Sequence, residues 1–411
     1  MSSTADYGIG QRVGLAAALL LSTTTLFGAA PPVVSNVRAA QRPGTKLVDI
    51  YYDVADPDSA ALTVSVAVST NGGAGYTLPA TSFSGSGYGS TVTPGSHKQI
   101  VWNAGADWNG KFSANVRFQV TASDDSAPSG MALIPAGSFT MGNTFTASEG
   151  YSDELPLHSV YVSAFYLDRY EVTKALWDEV YNWALTHGYT FDYADSGQGK
   201  AANHPAHTMT WYDAVKWCNA RSEKENKVPA YYTDAGLTTR YRSGQVAPYV
   251  DWSRGYRLAT EAEWEKAARG GASGRRFPWS GTDNITHSMA NYYSSTSYAY
   301  DTSLTRGYPP GFQAGGYPYT SPVDYFAPNG YGLYDMAGNV WQWCWDWYSS
   351  SYYGSSPASD PRGPATGSYR VMRGGCWLNS AFFCRAAFRF ILDPSIRGFS
   401  IGFRSALPPG Q

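Results

Sequence analysis

The sequence predicts a two-domain α+β protein, in which an all-β sandwich precedes a larger domain with few helices and long irregular loops. Two observations predict this division. Short alternating apolar runs separated by turn residues occupy 32–123, whereas three capped helix patterns lie between 173 and 270. The chain also contains 43 Gly and 24 Pro among 411 residues, a content that favours turns over long helices.

The charge of the chain is nearly balanced. Lys and Arg number 30, Asp and Glu number 32, and the formal net charge is -2 at pH 7. We therefore expect no nucleic-acid partner and no polybasic attraction to a membrane. Aromatic residues make up 15% of the chain, which excludes a disordered protein because disordered chains lack aromatics. The 32 Tyr among them exceed what a lone enzyme core requires.

The amino terminus has the pattern of a secretory signal peptide over residues 1–30. Arg12 precedes an apolar run, 13–21, and small residues lead to Ala30. No segment reaches the roughly 18 apolar residues that span a bilayer, so we expect a secreted or periplasmic protein without a stable membrane span. Export would permit disulfides. Three pairings are open to the four cysteines, Cys218, Cys344, Cys376 and Cys384.

Residues 32–123 have the pattern of an all-β domain. Strand-like runs occur at 47–54, 62–68, 100–102 and 116–120. Asn71 before two glycines marks a hairpin turn, because Asn and Gly accept positive φ. These short strands predict a sandwich of immunoglobulin or fibronectin type. It contains no catalytic cluster, so we interpret it as a spacer or adhesion module, followed by a polar linker at 124–130.

Three helices are predicted after the linker, because threonine side chains can accept hydrogen bonds from the free amides at a helix start. They lie at 174–183, 211–224 and 261–269, after Thr173, Thr210 and Thr260. Glu263 completes a capping box with Thr260, and Gly270 ends the third helix. Beyond it, abundant Gly, Tyr, Ser and Pro predict short strands and long connections.

Seven motifs after residue 130 resemble the formylglycine-generating enzyme, or sulfatase-modifying factor, family. They occur in the family's order at 131–142, 170–173, 256–265, 277–279, 329–341, 370–375 and 402–404. The resemblance covers 131–406 and implies a variant of the C-type-lectin-like fold, which is α+β with little regular structure. It implies no single activity, because one fold hosts many functions.

The resemblance also implies what a catalytic site would require. The family's oxidases hold Cu(I) between two thiolates and use oxygen to convert a cysteine of the substrate protein to formylglycine. Those two cysteines follow the Gly-Gly of the closing motif, and their positions here are Asn379 and Cys384. An amide cannot complete a bis-thiolate site, so we do not expect copper. The alternative is an oxidase for sulfatase-like proteins that uses Cys384 with Cys376 as its catalytic pair.

A second branch of the superfamily, the sulfoxide synthases of ergothioneine synthesis, holds iron through three histidines that come largely from an added helical domain. The only close pair in this chain is His204 and His207. Pro205 disfavours a helix that would place both on one face. We therefore expect no iron.

The resemblance implies two calcium sites, since calcium prefers carboxylate and carbonyl oxygens. One would use the side chains of Asp335 and Gln342 and the carbonyls of Gly338 and Val340. The enzymes carry Glu at the Gln342 position, so this chain lacks one charge there. The other would begin with the Asn291 side chain and the Tyr292 carbonyl, with Asp301 as a candidate for a missing acid. Ordinary loop hydrogen bonding explains these residues equally well, and both interpretations remain open.

The closing segment, 376–400, predicts a binding surface for a protein or glycan ligand. Its unpatterned residues follow neither a helical nor a strand period. The candidate ligand-binding residues are Leu378, Asn379, Phe382, Phe383, Phe388, Phe390 and Phe399. We expect Leu378, Phe382, Phe388, Phe390 and Phe399 to share one accessible face, as the aromatics of paratopes do.

This segment also resembles the variable regions of proteins diversified by retroelements, which use the same lectin-like fold. Mutated asparagine codons in those regions cannot encode Trp, Lys, Glu, Gln or Met, and only Trp377 of these types occurs in 376–400. An ordinary hydrophobic family tail explains the segment as well. Three functions therefore remain open: a secreted binding protein without oxidase activity, the oxidase, and a diversified variable receptor.

Overall fold

The computed structural model describes residues 32–56, 61–73, 75–124, 128–146 and 149–411. The expected signal peptide, 1–30, lies outside the described residues. Within the described ranges, every helix is too short or too polar to cross a membrane.

Two antiparallel sheets form the N-terminal part of the described chain. Its strands are β1 (Val33–Gln41), β2 (Leu47–Ala55), β3 (Leu62–Ser69), β4 (Phe83–Ser84), β5 (Gly89–Val92), β6 (Gly95–Asn103) and β7 (Arg117–Asp124). One sheet has the order β1-β2-β6-β4, and the other has the order β5-β3-β7. A short helix, α1 (Ala104–Asp107), follows β6.

Alternating burial along the strands explains why these two sheets pack face to face. In β2, Ile50, Tyr52 and Val54 are buried, and the residues between them are partly exposed. Leu62 and Val64 of β3 belong to the same hydrophobic cluster. Because successive side chains of a strand point to opposite faces, one face of each sheet supplies this core. Strands are present as the sequence predicts, and an all-β domain of immunoglobulin or fibronectin type stays a prediction.

The chain from Met131 onward is mixed α+β with short strands. The helices are α2 (Lys174–Leu185), α3 (Trp211–Lys224) and α4 (Glu261–Arg269). The strands are β8 (Met131–Ile134), β9 (Gly137–Met141), β10 (His158–Val162), β11 (Phe165–Asp168), β12 (Tyr231–Tyr232), β13 (Tyr249–Val250), β14 (Arg257–Leu258), β15 (Trp341–Trp347), β16 (Arg370–Arg373), β17 (Phe390–Leu392), β18 (Ile401–Gly402) and β19 (Ser405–Leu407).

Two four-stranded sheets organise this part. The first has the order β14-β19-β11-β8. Because β19 is the last strand of the chain and pairs with β11, this sheet brings the beginning and the end of the region together. The second has the order β17-β16-β15-β18 and carries the closing segment. Two further pairs, β9 with β10 and β12 with β13, complete the described sheets.

The three predicted helices are confirmed together with their caps. Thr173 and Thr210 each accept a hydrogen bond from an amide in the first turn of α2 and α3. Thr260 and Glu263 form the reciprocal capping box of α4, and Gly270 ends that helix with a φ of 56°.

Buried ion pairs fix the path of the closing segment. Arg385 makes two hydrogen bonds of 2.7 Å to Glu154, and Arg389 makes two of 2.7 and 2.9 Å to Glu261. A buried charge is costly unless it is paired, so these pairs hold both arginines inward. Phe388 lies between the two arginines and is 2% exposed. The expectation that Phe388 lies on the accessible face is therefore wrong.

Candidate functional site

The turn after β16 brings two cysteines to one place. Gly374 and Gly375 have φ values of 97° and 75°, which other residues rarely adopt. A Cβ atom on Gly375 would lie 2.8 Å from the sulfur of Cys384, so only glycine fits beside that thiol. Cys376 follows directly, and both cysteines are buried. All four cysteines of the chain are free thiols, so none of the three disulfide pairings that the sequence leaves open is formed.

The Cys376 thiol points to Asn379. Its Sγ donates a hydrogen bond to the Asn379 Oδ1 across 2.8 Å. Burial raises the pKa of Cys376 to about 12 and raises the pKa of Cys384 well above its ordinary value. Both groups are consequently neutral thiols at neutral pH. The bis-thiolate arrangement that the resemblance implies does not fit these residues, because an engaged amide stands at one of its two positions.

The two neighbouring histidines point to different partners. The His204 Nδ1 hydrogen-bonds the hydroxyl of Thr320, and the His207 Nδ1 hydrogen-bonds the hydroxyl of Thr208. Burial lowers the pKa of His207 to about 4. Across the described residues, no group of three or more His, Cys, Asp or Glu side chains is placed to hold a metal ion.

The Asp335 carboxylate has the character of a cation ligand. It is buried, and neither of its oxygens has a hydrogen-bond partner among the described residues. Glu171 is buried as well. Burial, and then the nearby charge of Asp335, raise the pKa of Glu171, while burial raises the pKa of Asp335. Oxygens without partners in such a site fit a hard cation.

Gln342 does not supply the oxygen that the calcium prediction assigns to it. Its Oε1 accepts hydrogen bonds from the Trp264 indole at 2.7 Å and from the Arg404 guanidinium at 2.8 Å. Its amide nitrogen donates to the Asp335 carbonyl at 2.9 Å. Turning the amide over would place its nitrogen against two donors, so this orientation is fixed. The side chain therefore positions the Asp335 loop.

The second predicted calcium segment lies beside the first. Asn291 and Gly338 form a bridge, and a Cβ on Gly338 would lie 2.2 Å from the Asn291 carbonyl oxygen. The Asn291 Oδ1 is buried and also has no hydrogen-bond partner among the described residues. The Tyr292 carbonyl accepts a hydrogen bond from His287 at 3.1 Å. Asp301 instead accepts hydrogen bonds from hydroxyl groups, including that of Tyr292 at 2.7 Å, so it does not replace the missing acid.

The predicted ligand-binding residues fall into two aromatic groups. Phe382, Phe383, Phe388 and Phe390 pack with one another or with Trp341, and Tyr151 and Tyr298 contact Phe382. Phe399 instead contacts Trp377 and Tyr317. Leu378 and Asn379 are half-buried. The structure therefore does not bring all seven residues into one cluster.

Tyrosines from the loop at 293–319 enlarge the second group. We call the set Tyr293, Tyr308, Tyr317, Tyr319, Trp377 and Phe399 the aromatic patch. Tyr317 lies 4.4 Å from Tyr319 and 5.2 Å from Trp377, measured between ring centroids. Tyr317 is 61% exposed and Phe399 is 49% exposed. The amide of Tyr293 donates to the Asn379 carbonyl at 2.8 Å, which ties the patch to the cysteine site.

Two kinds of residue were absent from the predicted site. Glu171 lies in the family motif at 170–173. A carboxylate in that motif indicates that the side chain has a buried partner. The tyrosines at 293–319 were visible as a dense run of one residue type in a long loop. Their convergence on Trp377 depends on contacts between distant segments, which local patterns do not encode.

Comparisons with known proteins identify the family of this chain. The family model of the sulfatase-modifying factor enzyme 1-like domain matches residues 117–408. The formylglycine-generating enzyme of Thermomonospora curvata is 35% identical over 305 residues, which are 68% of this chain and 94% of that protein. The formylglycine-generating enzyme of Streptomyces coelicolor is 33% identical over 297 residues, which are 67% of this chain and 88% of that protein.

A solved structure shares the architecture of about two thirds of this chain. Treponema denticola variable protein 1 superposes with a TM-score of 0.51 and 31% sequence identity, covering 68% of this chain and 95% of its own. The family match spans the cysteine site, the Asp335 loop and the aromatic patch together. The chain therefore belongs to the family defined by the sulfatase-modifying factor enzyme 1-like domain.

Proposed function

We propose that this chain is an exported, non-oxidase member of its family that binds a protein or glycan ligand through the aromatic patch. The observation that carries the proposal is the hydrogen bond from the Cys376 thiol to Asn379. In this family, the Asn379 position is where the resemblance places a copper-binding cysteine. The amide there is neutral, and it engages the neighbouring thiol.

The electrostatics of the cysteine site support the absence of oxidase activity. Soft Cu(I) is held by thiolates, whereas Cys376 and Cys384 are buried thiols with raised pKa values. Deprotonating both would place two negative charges in an apolar environment. The neighbouring Cys376 and Asp301 raise the pKa of Cys384 further. Of the two positions where the family's oxidases carry copper-binding cysteines, Cys384 keeps one and Asn379 replaces the other, which supports the absence of oxidase activity.

The aromatic patch supports the binding role. Its exposed rings are held from below by the buried Trp377, so little conformational freedom is lost when a ligand covers them. The Lys200 ammonium lies over a ring of the patch, 6.0 Å from the Tyr319 centroid. Rigid, largely uncharged aromatic surfaces bind sugar faces and apolar peptide side chains alike. Calcium at Asp335 and Asn291 belongs to the same proposal, as a means of holding the loops beneath the patch.

One observation favours a diversified receptor as a second candidate. In the closing segment, Trp377, Ala381 and Arg385 are buried, whereas Phe382 is half-buried and Phe399 is 49% exposed. Substitution at Phe382 or Phe399 would therefore change the surface, whereas Phe388 of the same segment belongs to the core. The similarity to a protein named as variable points the same way. A near-duplicate of the coding region for 370–404 beside a reverse transcriptase gene would support this candidate, and its absence would reduce the proposal to an invariant binding module.

An oxidase assay tests the first half of the proposal. The purified chain is supplied with Cu(I), oxygen and a cysteine-containing peptide, and the aldehyde product is captured with a hydrazide probe. We expect no aldehyde above the level of a Cys384→Ser variant. If the native chain forms the aldehyde and both Cys376→Ser and Cys384→Ser lose it, the proposal is replaced by the alternative, an oxidase that uses Cys376 with Cys384.

An array of immobilised glycans and peptides tests the second half. We expect the native chain to bind a restricted set of spots, and Tyr317→Ala to lose those spots. Tyr249→Ala is the matched control, because Tyr249 is 49% exposed and lies outside the patch. Equal binding by the native chain and Tyr317→Ala would remove the patch from the proposal.

A further inference from the structure

The N-terminal sandwich is open along one side. There, β1 and β7 are the edge strands of their two sheets, and each pairs with one neighbour among the described strands. The two strands approach each other without forming a ladder. Within the described part of the chain, one edge of each strand is therefore unpaired and offers backbone amides and carbonyls for further hydrogen bonds.

A groove of about 620 Å³ lies between these edges. Consecutive residues 37–41 of β1 line it, and so do Val116 and the first two residues of β7, Arg117 and Phe118. Successive side chains of a strand point to opposite faces, so a groove that touches consecutive residues runs along the edge of the strand. Its shape is suited to an extended chain lying parallel to β1.

The groove offers apolar surface to such a chain. Trp102 is buried beneath it and packs edge-on against Phe118, with 5.7 Å between the ring centroids. The Trp102 indole donates to Asp107 at 2.8 Å, which fixes its ring and occupies that carboxylate. Phe112 lines the groove while remaining 90% exposed. Phe112 and the Trp102–Phe118 pair together give the groove an apolar wall that an apolar side chain of a partner can cover.

The charge around the groove has one sign. Arg38, Lys46, Lys111 and Arg117 line it, and no Asp or Glu does. Within the described ranges, none of these four cations forms an ion pair. This local excess contrasts with the net charge of -2 for the whole chain. It complements an acidic partner and repels a basic one.

We propose that the groove binds an extended acidic peptide segment of a partner protein, which adds as a strand to the free edge of β1. One apolar side chain of the peptide packs against Trp102, and its acidic side chains face the four cations. Strand addition uses backbone hydrogen bonds at alternate residues. A polysaccharide, a nucleic acid or a lipid surface lacks that repeat of amides and carbonyls, so the free edge favours a peptide.

The test uses a labelled peptide, Glu-Val-Glu-Phe-Glu-Val-Glu, and measures fluorescence anisotropy with the full chain. We expect saturable binding that weakens with salt, and no binding by the counterpart with Lys in place of Glu. Two further peptides carry N-methyl groups at odd or at even positions. One of them should lose binding and the other should keep it, because only alternate amides of an added strand face its neighbour.

Variants of the chain assign the binding to the groove. A Lys111→Glu, Arg117→Glu double variant should weaken the acidic peptide about tenfold or more. Lys98→Glu is the control, since Lys98 bonds Thr93 and lies outside the groove. No binding by the native chain at up to about 1 mM peptide would overturn the proposal. Equal binding of both methylated peptides would also overturn the proposal. It would be overturned as well if the chain bound a polyuronate or DNA, and if the double variant weakened that binding but left peptide binding unchanged.

Discussion

The thiol of Cys376 and the side-chain oxygen of Asn379 are joined by a hydrogen bond of 2.8 Å. This contact spans three residues of the turn after β16, at the place where the oxidases of the family hold copper. Burial raises the pKa of Cys376 to about 12, and the amide oxygen gives the buried thiol a hydrogen-bond partner. The turn therefore holds a neutral, hydrogen-bonded thiol beside Asn379.

Gly375→Ala should destabilise the protein by about 2–3 kcal/mol, because the new methyl group meets Cys384 and the backbone keeps a positive φ. The free energy of unfolding in urea measures this loss. Gly316→Ala is the matched control, since its φ is 80° and a Cβ there meets no atom within 4 Å. The control should lose only about 1 kcal/mol. Equal losses would show that Cys384 does not pack against this turn.

Calcium should raise the melting temperature of the native chain by about 2–4 °C, because a bound cation stabilises the folded state alone. Asp335→Asn should abolish most of that rise. Without calcium, this variant should be as stable as the native chain or more so, since it removes a buried charge without a hydrogen-bond partner. Asp251→Asn, outside the site, is the control. An unchanged calcium response in Asp335→Asn would contradict the assignment of Asp335 as a ligand.

Acid should weaken the fold through His207. Burial lowers its pKa to about 4 in the folded state, below the ordinary value of 6.5. The unfolded chain therefore binds the proton first, so this contribution to stability is complete above the unfolded pKa. It declines as pH falls from about 6.5 towards 4, with a loss of about 2 kcal/mol by pH 5.

Comparing the unfolding free energies of the native chain and of His207→Gln separates the contribution of His207 from those of the other titrating groups. We expect the difference in unfolding free energy between pH 7 and pH 5 to be about 2 kcal/mol smaller in the variant. The buried carboxyl groups of Glu171 and Asp335 have raised pKa values and act in the opposite direction, but they are the same in both proteins. Identical pH dependence in the two proteins would contradict a buried, neutral His207.

Local features of the fold were predictable from the sequence. The caps at Thr173, Thr210 and Thr260 depend on residues within one helical turn, and the structure confirms all three. The alternation predicted at 62–68 likewise depends on one strand, in which Leu62 and Val64 are buried and Thr63 is partly exposed. These predictions succeed because the interacting groups are close in sequence.

The candidate site was predictable only in part, because distant segments build it. Phe388 was expected at the surface, but the ion pairs of Arg385 and Arg389 hold it inside. Gln342 was expected to offer an oxygen to calcium, but Trp264 and Arg404 occupy that oxygen. The convergence of the loop tyrosines on the closing segment depends on the same kind of distant contact.

The affinity for Cu(I) tests the account most directly. Titration against bathocuproine disulfonate without oxygen compares the native chain with Asn379→Cys and with the control Asn379→Ser. We expect the native chain and the control to leave copper with the chelator, and Asn379→Cys to gain one equivalent and at least about 100-fold in affinity. A native chain that binds copper as tightly as Asn379→Cys, and loses it in Cys376→Ser, would contradict the account.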